Sequence, residues 1–498
     1  MHNRKPNIVL IMSDQHQAAI MGNAGDPLVQ TPNLDRLAET GTRFTDAHTS
    51  CPLCVPARMG FMTGRYPSEI DNWTNGCILP TYVPTFAHGL GAAGYEATLC
   101  GKMHFIGYDQ FHGFEKRLAP DCYGKQLFPE VVYRGPYGNW TGGGKYPVEM
   151  AGYGYQGFQY YDDTVTDRAV EYLSNRRADE RPLCLVVGLI CPHNPYVCRK
   201  ELFDYYHERV SLPESFVLEE RAPFAYLETL RRAYRLNELT VEQHRRARAA
   251  YYGLVTEMDE KVGRVMDAVA ASECADNTAV IYCSDHGDMA GDYGLWYKSN
   301  FMNGSVKVPL IASWPGHWRE GVESKAVTSL VDIAPTLLDA CGAPSLPAAS
   351  GRSVVGLLDG SCSEAQWENL TFAEEAGAVG SGPKIMVRRD EWKFAYYAAD
   401  DSCELFNENE DPAETCNRAK DPACFDLVRD FRALINERWS ATSIEQTLEK
   451  ARQEKAFINA CGHPEIPHAQ VPLIAPDDSH QFDMEQLPVL PERFQETS

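Results

Sequence analysis

Four short apolar runs along this chain each end in polar residues, and this repeated pattern most constrains the fold. The runs lie at residues 7–12, 95–99, 183–189 and 278–283. Continuous apolar runs of this length are typical of parallel strands that helices cover on both faces. Because the carboxyl ends of such strands share one edge of an open sheet, the polar residues that follow the runs are predicted to converge on one site.

Helical patterns lie between the runs. Apolar residues recur at three- and four-residue spacing over 32–39, 163–173 and 240–271, which places them on one face of a helix. Strands that alternate with helices predict an α/β fold in which helices sandwich a doubly wound, mostly parallel sheet. We expect this first domain to span residues 1–368.

The pattern changes after the first domain. Strand patterns at 384–388 and 392–397, with a helical stretch near 424–439, predict a small α+β subdomain over 369–461 that is built on a short antiparallel sheet. Residues 462–498 are rich in Pro, Asp, Gln and Glu and are predicted to form an extended tail. A homodimer or homotetramer is expected, because such tails often cross subunit interfaces.

The charge of the chain narrows its range of partners. With 46 Lys and Arg against 69 Asp and Glu, the net charge is −23 at pH 7. An excess of carboxylates repels polyanions, so neither nucleic acid nor an anionic membrane is expected as a partner. An anionic substrate therefore needs a local basic pocket.

Two further features bear on location. No run approaches the ~20 apolar residues of a membrane span, and the first apolar run is too short for a secretory signal, which predicts a cytoplasmic protein. Several of the 16 cysteines lie inside apolar runs. We expect most of them to be reduced thiols in the core.

Residues 51–65 carry the most informative motif, which reads CPLCVPARMGFMTGR. Cys51 and Cys54 form a C-x-x-C pair, a spacing found in redox couples and in halves of zinc sites. The chain has no second C-x-x-C to complete a zinc site, and no strand pattern leads into the pair as in a thioredoxin. The Cys54-x-Pro-x-Arg58 core, followed by Thr-Gly-Arg at 63–65, resembles the defining motif of the type I sulfatases of the alkaline-phosphatase superfamily.

The resemblance implies a modified cysteine. In that family a formylglycine-generating or sulfatase-maturating enzyme oxidises the motif cysteine to Cα-formylglycine, whose hydrate is the nucleophile. Cys54 would be that cysteine, and such a maturation enzyme would be a partner. Arg58 and Lys102 would hold the nucleophile in its charged form, because nearby cations lower the pKa of a hydroxyl. The family prefers Ser where this chain has Ala57, which bears on the efficiency of conversion.

The residues after the four runs match other parts of the same family in the same order, and the likeness covers residues 5 to 415. The implied metal ligands are Asp14, Gln15, Cys54, Asp285 and His286. The implied catalytic and sulfate-binding residues, besides Arg58, are Asn75, Lys102, His104, His193 and Lys298. Singly, each residue is better explained as a helix cap, a core histidine or a surface lysine. Their joint occurrence at successive strand ends favours a site.

Oxygen donors dominate the implied metal site, which favours Ca²⁺, with Mn²⁺ or Mg²⁺ as alternatives. Gln15 and His286 stand where most members of the family carry Asp and Asn. These replacements are typical of the branch that contains choline sulfatases and phosphonate monoester hydrolases.

The resemblance also implies roles in turnover. One hydroxyl of the hydrated aldehyde at residue 54 would attack sulfur, and His193, helped by Lys298, would protonate the leaving alcohol. His104 would then take the proton of the second hydroxyl as sulfate leaves. Neutral imidazole suits both proton transfers near pH 7.

The small sulfated substrate is predicted to be a carbohydrate, because a Gly-rich polar loop with an aromatic residue at 135–145 suits a sugar ring. Choline sulfate is one alternative, since aromatic faces bind quaternary ammonium groups. The candidate aromatics are Trp73, Tyr123, Tyr137, Trp140 and Trp296. A phosphonate monoester or phosphodiester is a second alternative, and a non-enzymatic module in which Cys54 stays a thiol is a third.

Overall fold

The computed structural model of this chain describes residues 5–122, 143–216, 224–376 and 382–460. The strands in these ranges are β1 Asn7–Asp14, β2 Thr42–Phe44, β3 Ala47–His48, β4 Glu96–Gly101, β5 Lys116–Ala119, β6 Gly152–Tyr153, β7 Leu183–Pro192, β8 Val197–Cys198, β9 Thr278–Ser284, β10 Leu310–Ser313, β11 Val322–Ser324, β12 Thr328–Ser329, β13 Leu370–Glu375, β14 Lys384–Arg389, β15 Trp392–Tyr397 and β16 Ser402–Asn407.

The α-helices in the same ranges lie mostly between these strands. They are α1 Pro32–Glu39, α2 Cys54–Thr63, α3 Phe86–Ala92, α4 Tyr146–Glu149, α5 Gly157–Ser174, α6 Lys200–His207, α7 Ala225–Ala233, α8 Val241–Ala271, α9 Asn303–Val306, α10 Ile333–Ala340, α11 Val355–Asp359, α12 Phe425–Arg438 and α13 Ala441–Ala460.

The four apolar runs form neighbouring strands of the large sheet. Its eight strands follow the order β11-β2-β10-β9-β1-β7-β4-β5. β9, β1, β7 and β4 are adjacent and parallel, so their carboxyl ends lie along one edge. β10 is antiparallel to both of its neighbours, which makes the sheet mixed but mostly parallel. The predicted doubly wound α/β sheet is confirmed.

Both faces of this sheet are buried, as β1 illustrates. Val9 and Ile11 pack in a core with residues of α5 and α8, while Ile8, Leu10 and Met12 pack in a second core with residues of α2, α3 and α10. Every residue of β1 is buried. A strand buried on both faces has no polar alternation, which is why its sequence reads as an uninterrupted apolar run.

The C-terminal region contains the predicted antiparallel sheet, with strand order β13-β14-β15-β16. α12 covers one face of it, and the rings of Phe394 and Phe431 stack there at 5.3 Å. β13 begins at Leu370, close to the predicted division after residue 368. The predicted tail, 462–498, lies outside the described residues.

Two further predictions from the sequence concern the oxidation state of the cysteines and membrane-spanning segments. The cysteines of the described ranges are all free, and most of them are buried. Over the same ranges, helices that are both long and apolar enough to cross a bilayer are absent.

Candidate active site

The cysteine of the sequence motif, Cys54, is the first residue of α2. Leu53 precedes the helix in an extended conformation, and Gly64 ends it in the left-handed region at φ 66°. Pro56 is tolerated in the first turn because the backbone N–H that it lacks would have no partner there. A helix N-terminus favours an anion, so this position suits Cys54 as a thiolate or as the charged form of its oxidised product.

Four buried side chains from three elements converge beside this helix end. The Sγ of Cys54 lies 3.2 Å from Nε2 of His286 and 3.9 Å from Oδ1 of Asp14. With a carboxylate oxygen of Asp285, these atoms all lie within 4.8 Å of one another. The Nδ1 of His286 is paired with the carbonyl of Gly287 at 3.0 Å, so Nε2 faces the group. This donor set fits a divalent cation.

Two buried cations balance the carboxylates. Arg58 donates from Nε to Asp285 at 2.8 Å and from Nη2 to Asp14 at 3.2 Å. Lys102 forms an ion pair with the same Asp14 oxygen as Arg58 does. The Nη1 of Arg58 also donates to the carbonyl of Lys102 at 2.9 Å, which ties α2 to the loop after β4.

The cations set the protonation of the site. Burial opposes ionisation of Asp14, but Lys102, His193 and Arg58 outweigh it and hold the pKa of that carboxyl well below its usual value. Burial and Asp14 raise the pKa of Cys54, yet Lys298, His286 and Lys102 bring it well below the ordinary value. The site therefore stabilises an anion at residue 54.

Gln15 follows Asp14 with a positive φ of 70°. Its side-chain oxygen accepts a hydrogen bond from Nζ of Lys298, and its Nε2 donates to Asp288 at 2.6 Å. Asp288 fixes which end of the amide faces the lysine, because a carboxylate can only accept. The role of Gln15 as a metal ligand stays a prediction.

His193 lies against Lys298. The Nε2 of His193 is 3.0 Å from Nζ of Lys298, and its Nδ1 is 2.6 Å from the carbonyl of Asn194. An ammonium only donates, so Nε2 accepts and the proton of the neutral ring is on Nδ1. Burial, together with the Lys298 charge, lowers the pKa of His193 to about 4. The imidazole of His193 is therefore neutral at pH 7 and faces the Lys298 side chain with its unprotonated nitrogen.

His104 and Asn75 complete the predicted set. His104 is buried, with a positive φ of 63°, on the loop that carries Lys102. Asn75 is exposed, and its Oδ1 accepts from the backbone N–H of Val55 at 3.0 Å, next to the nucleophile position. The catalytic and sulfate-binding roles of both residues stay predictions.

The aromatic candidates divide into two groups. Trp73 is buried in the core beneath the C-terminal sheet. Trp296 is also buried, and its Nε1 donates to His244 at 2.9 Å. Packing rather than a binding face explains both. Tyr123, Tyr137, Trp140 and most of the 135–145 loop lie outside the described residues.

Three buried carboxylates that sequence reasoning missed brace the loops of the site. Asp162, on α5, accepts from the backbone N–H groups of Ile190 and Cys191 at 2.8 Å each, at the end of β7. Asp288 holds Gln15, and Asp121 holds the loop of His104. Only Asp288 carried a sequence signal, because it lies two residues after a predicted ligand.

Two family profiles and several known proteins match most of this chain. The sulfatase family profile matches residues 6–343, and the profile described as N-sulphoglucosamine sulphohydrolase, C-terminal, matches residues 291–440. A choline-sulfatase of Rhizobium meliloti (strain 1021) is 34% identical over 482 residues, which cover 91% of each chain. Arylsulfatase K of Danio rerio is 28% identical over 460 residues, which cover 87% of this chain and 84% of the relative.

A solved structure agrees with the fold. The phosphonate monoester hydrolase of Agrobacterium radiobacter superposes with a TM-score of 0.74 at 22% identity, covering 87% of this chain and 95% of the other. The family profile covers well over half of the chain, and the choline-sulfatase matches it nearly end to end. This chain therefore belongs to the sulfatase family of the alkaline-phosphatase superfamily and is a sulfuric ester hydrolase.

Proposed function

We propose that this protein hydrolyses a sulfate monoester with Cα-formylglycine, made from Cys54 by a maturation enzyme, as its nucleophile. The observation that carries the proposal is the position of Cys54, buried at the start of α2 and facing Asp14, Asp285 and His286. A structural thiol has no need of converging carboxylate and imidazole donors. A modified residue that must meet both a cation and an oxyanion does need them.

We propose Ca²⁺ as the ion, with Mn²⁺ and Mg²⁺ as alternatives. Asp14, Asp285 and His286 would hold it together with residue 54, and Gln15 is the fifth candidate ligand. Carboxylate oxygens favour a hard cation, while the imidazole admits Mn²⁺. When bound, a divalent ion polarises sulfuryl oxygens and lowers the pKa of an attacking hydroxyl.

Arg58 and Lys102 neutralise the carboxylates, so that an anionic sulfate ester can approach a site that already holds two buried acids. We propose that Lys102, whose ammonium pairs with Asp14, also contacts a sulfuryl oxygen. Removing either cation would leave a buried carboxylate without its partner, which is strongly unfavourable. Their role is therefore both electrostatic and structural.

Lys298 and His193 form the acid that protonates the leaving alcohol. The imidazole of His193 is neutral and accepts from the ammonium of Lys298. His193 orients this ammonium, which gives its proton to the leaving oxygen as negative charge builds there. General-acid assistance of this kind contributes about 10²–10⁴-fold. His104 takes a proton in the second half of turnover, when sulfate is released.

We propose a small sulfated carbohydrate as substrate. Burial of Trp73 and Trp296 supports this choice, since neither can offer a face to a quaternary ammonium. Choline sulfate is the second candidate, because a choline-sulfatase is 34% identical over nearly the whole chain. Comparing kcat/KM for choline sulfate and for monosaccharide sulfates decides between them. A cytoplasmic location and a homodimer or homotetramer also stay predictions.

Mass spectrometry of the tryptic peptide 44–58, from protein made in its native host, tests the nucleophile. We expect the mass of an aldehyde in place of the thiol of Cys54, and Cys54→Ala is expected to remove sulfatase activity. An intact thiol in an active enzyme, with Cys54→Ala equally active, would contradict the proposal. Faster turnover of aryl phosphonates or phosphodiesters than of aryl sulfates would show that the site hydrolyses phosphoryl esters in preference to sulfate esters.

A further inference from the structure

Asp121 lies just beyond the end of β5, the edge strand of the large sheet. Its side chain is buried, and its Oδ2 accepts the backbone N–H of Met103 at 3.0 Å and also the backbone N–H of His104. Both amides belong to the loop after β4 that carries Lys102. One carboxylate oxygen from the edge strand thus holds two successive amides of the active-site loop.

The conformation of His104 makes this contact consequential. Its φ of 63° lies in the left-handed region, which is unfavourable for a residue with a side chain. The hydrogen bonds to Asp121 are available only when the amides of Met103 and His104 point the same way. They therefore offset that cost and fix the direction in which the imidazole leaves the backbone.

Asp121 is itself held in place as a carboxylate. Burial raises its pKa, but Arg117, His104 and Lys102 outweigh burial and keep the pKa below the ordinary value. Arg117 donates from Nη2 to Asp121 at 3.4 Å and from Nη1 to the carbonyl of Gln110 at 3.0 Å. The brace therefore reaches from the edge strand through a buried arginine to the segment that follows His104.

We propose that Asp121 is a positioning residue that aims His104 and thereby governs sulfate release. The inference rests on the proposed function, in which His104 acts in the second half of turnover. There the proton of the second hydroxyl at residue 54 passes to His104, the C–O bond to sulfate breaks with its electron pair going to sulfate, and the aldehyde forms again. Departure of the alcohol depends on Lys298 and His193 instead, so a misplaced His104 slows only the later half.

The kinetic test compares Asp121→Ala, Asp121→Asn and the control Glu115→Gln, using an aryl sulfate. Glu115 lies at the other end of β5, where it pairs with Arg181 at the surface. For Asp121→Ala we expect kcat to fall about 10²-fold, the loss typical of a group displaced by about 1 Å. We expect kcat/KM to change less than about threefold. The first turnover should then appear as a burst of the alcohol.

The Asp121→Asn variant separates the orientation of His104 from the charge of residue 121. Asparagine keeps an acceptor oxygen for both amides, so Asp121→Asn is expected to recover most of kcat, and Glu115→Gln should behave as wild type. Equal losses in Asp121→Asn and Asp121→Ala, or a parallel fall of kcat and kcat/KM without a burst, would overturn the proposal. A role confined to folding would lower both constants together.

Hydrogen exchange gives a readout that does not depend on activity. The amides of Met103 and His104 should exchange slowly in wild type and in Glu115→Gln, and faster in Asp121→Ala. Fast exchange of these amides in the wild-type protein would overturn the proposal even if no variant folded. Failure of the proposed function would give a different result, because Cys54→Ala would then hydrolyse the aryl sulfate as fast as the wild-type protein does.

Discussion

Two clusters of charged side chains in the described part of the chain invite comparison, because one of them has the geometry of a site and the other does not. The first surrounds residue 54 and consists of Asp14, Arg58, Lys102, Asp285 and His286. The second joins β3 and α9 to the C-terminal sheet and includes Asp46, His48, Lys307, Arg388 and Glu408. Both combine carboxylates, cations and a histidine, but the first is fully buried, whereas the Lys307 side chain of the second is 22% exposed.

The second cluster alternates its charges. Asp46 lies 2.8 Å from Arg388, 2.9 Å from His48 and 3.2 Å from Lys307, and Lys307 lies 2.9 Å from Glu408. Each charge thus faces an opposite one, which makes the cluster a connection between the two sheets. Nothing in this arrangement requires a ligand.

The first cluster brings like groups together instead. Donor atoms of Asp14, Cys54, Asp285 and His286 converge within 4.8 Å, and among the described residues such a convergence occurs at this place only. Burial raises the pKa of Asp285, and the nearby Asp14 adds to the rise, although Arg58 opposes it. Convergence of donors, rather than buried charge as such, distinguishes the functional cluster from the structural one.

The largest expected effect follows from removing a carboxylate in each cluster and measuring activity. Asp285→Asn should lower kcat/KM for an aryl sulfate by at least about 10³-fold, or about 4 kcal/mol, because it takes away a donor and the partner of Arg58. Asp46→Asn should stay within about threefold of wild type per folded molecule. A comparable loss of activity in Asp46→Asn would erase the distinction.

Asp46→Asn should instead lower the free energy of unfolding. Asp46→Asn leaves Arg388 and Lys307 with one carboxylate fewer, and removing one partner of a buried ion pair costs about 3–5 kcal/mol. Denaturant unfolding measures this loss. Glu323→Gln, which removes the largely exposed partner of Arg43, is the matched control and should cost less than about 1 kcal/mol. Equal midpoints for the two variants would show that the second cluster contributes no special stability.

A divalent cation should act on the first cluster alone. At a Ca²⁺ concentration about 100 times its Kd, stabilisation of the folded state is about 2.7 kcal/mol. We expect the wild-type melting temperature and that of Asp46→Asn to rise with Ca²⁺ and to fall with a chelator, and that of Asp285→Asn to respond little. The same titrations with Mn²⁺ and Mg²⁺ rank the ions. An equal response in all three proteins would place the ion elsewhere.

The smallest expected effect is the pH dependence of the free energy of unfolding in acid. Burial raises the pKa of Asp46, but Lys307, His48 and Arg388 outweigh it and hold the pKa far below the ordinary value. A carboxyl whose pKa is lowered on folding stabilises the protein above its unfolded pKa of about 4, and that contribution is lost as pH falls toward the folded value. The stability difference between wild type and Asp46→Asn should therefore shrink as the pH falls below about 4. A difference that grows on acidification would contradict this sign.

Much of the fold was predictable because burial leaves a direct trace in sequence. The run at 278–283 became β9 with one added residue, and the helical stretch at 32–39 became α1 with identical bounds. The pairing of β10 was not predictable, since its four residues carry no signal that sets them antiparallel to β9. The direction of such a short strand depends on the path of the chain between elements.

The candidate site was predictable to the extent that strand ends carry it. Asp14, His193 and Asp285 come after predicted strands. In the structure, His193 contacts Lys298 and Asp285 contacts Arg58. Asp14 and Asp285 also lie with Cys54 in the group of converging donor atoms. The braces Asp121 and Asp162 were missed because each contacts a loop that is distant in sequence. A carboxylate that binds backbone amides leaves no pattern near either partner.

The sequence by itself determined that parallel strands would bring their polar ends to one edge, and it identified Cys54 within a recognisable motif. Apolar runs and short motifs are local, so they can be read without coordinates. Only the tertiary structure decided which of the buried charges face one another and which face a common point. It also decided that a neutral His193 lies against Lys298 and that Asp121 accepts from the backbone N–H of His104. Those relations depend on distances of a few ångströms between segments far apart in the chain, and Coulomb and hydrogen-bond energies at such distances change with every repacking.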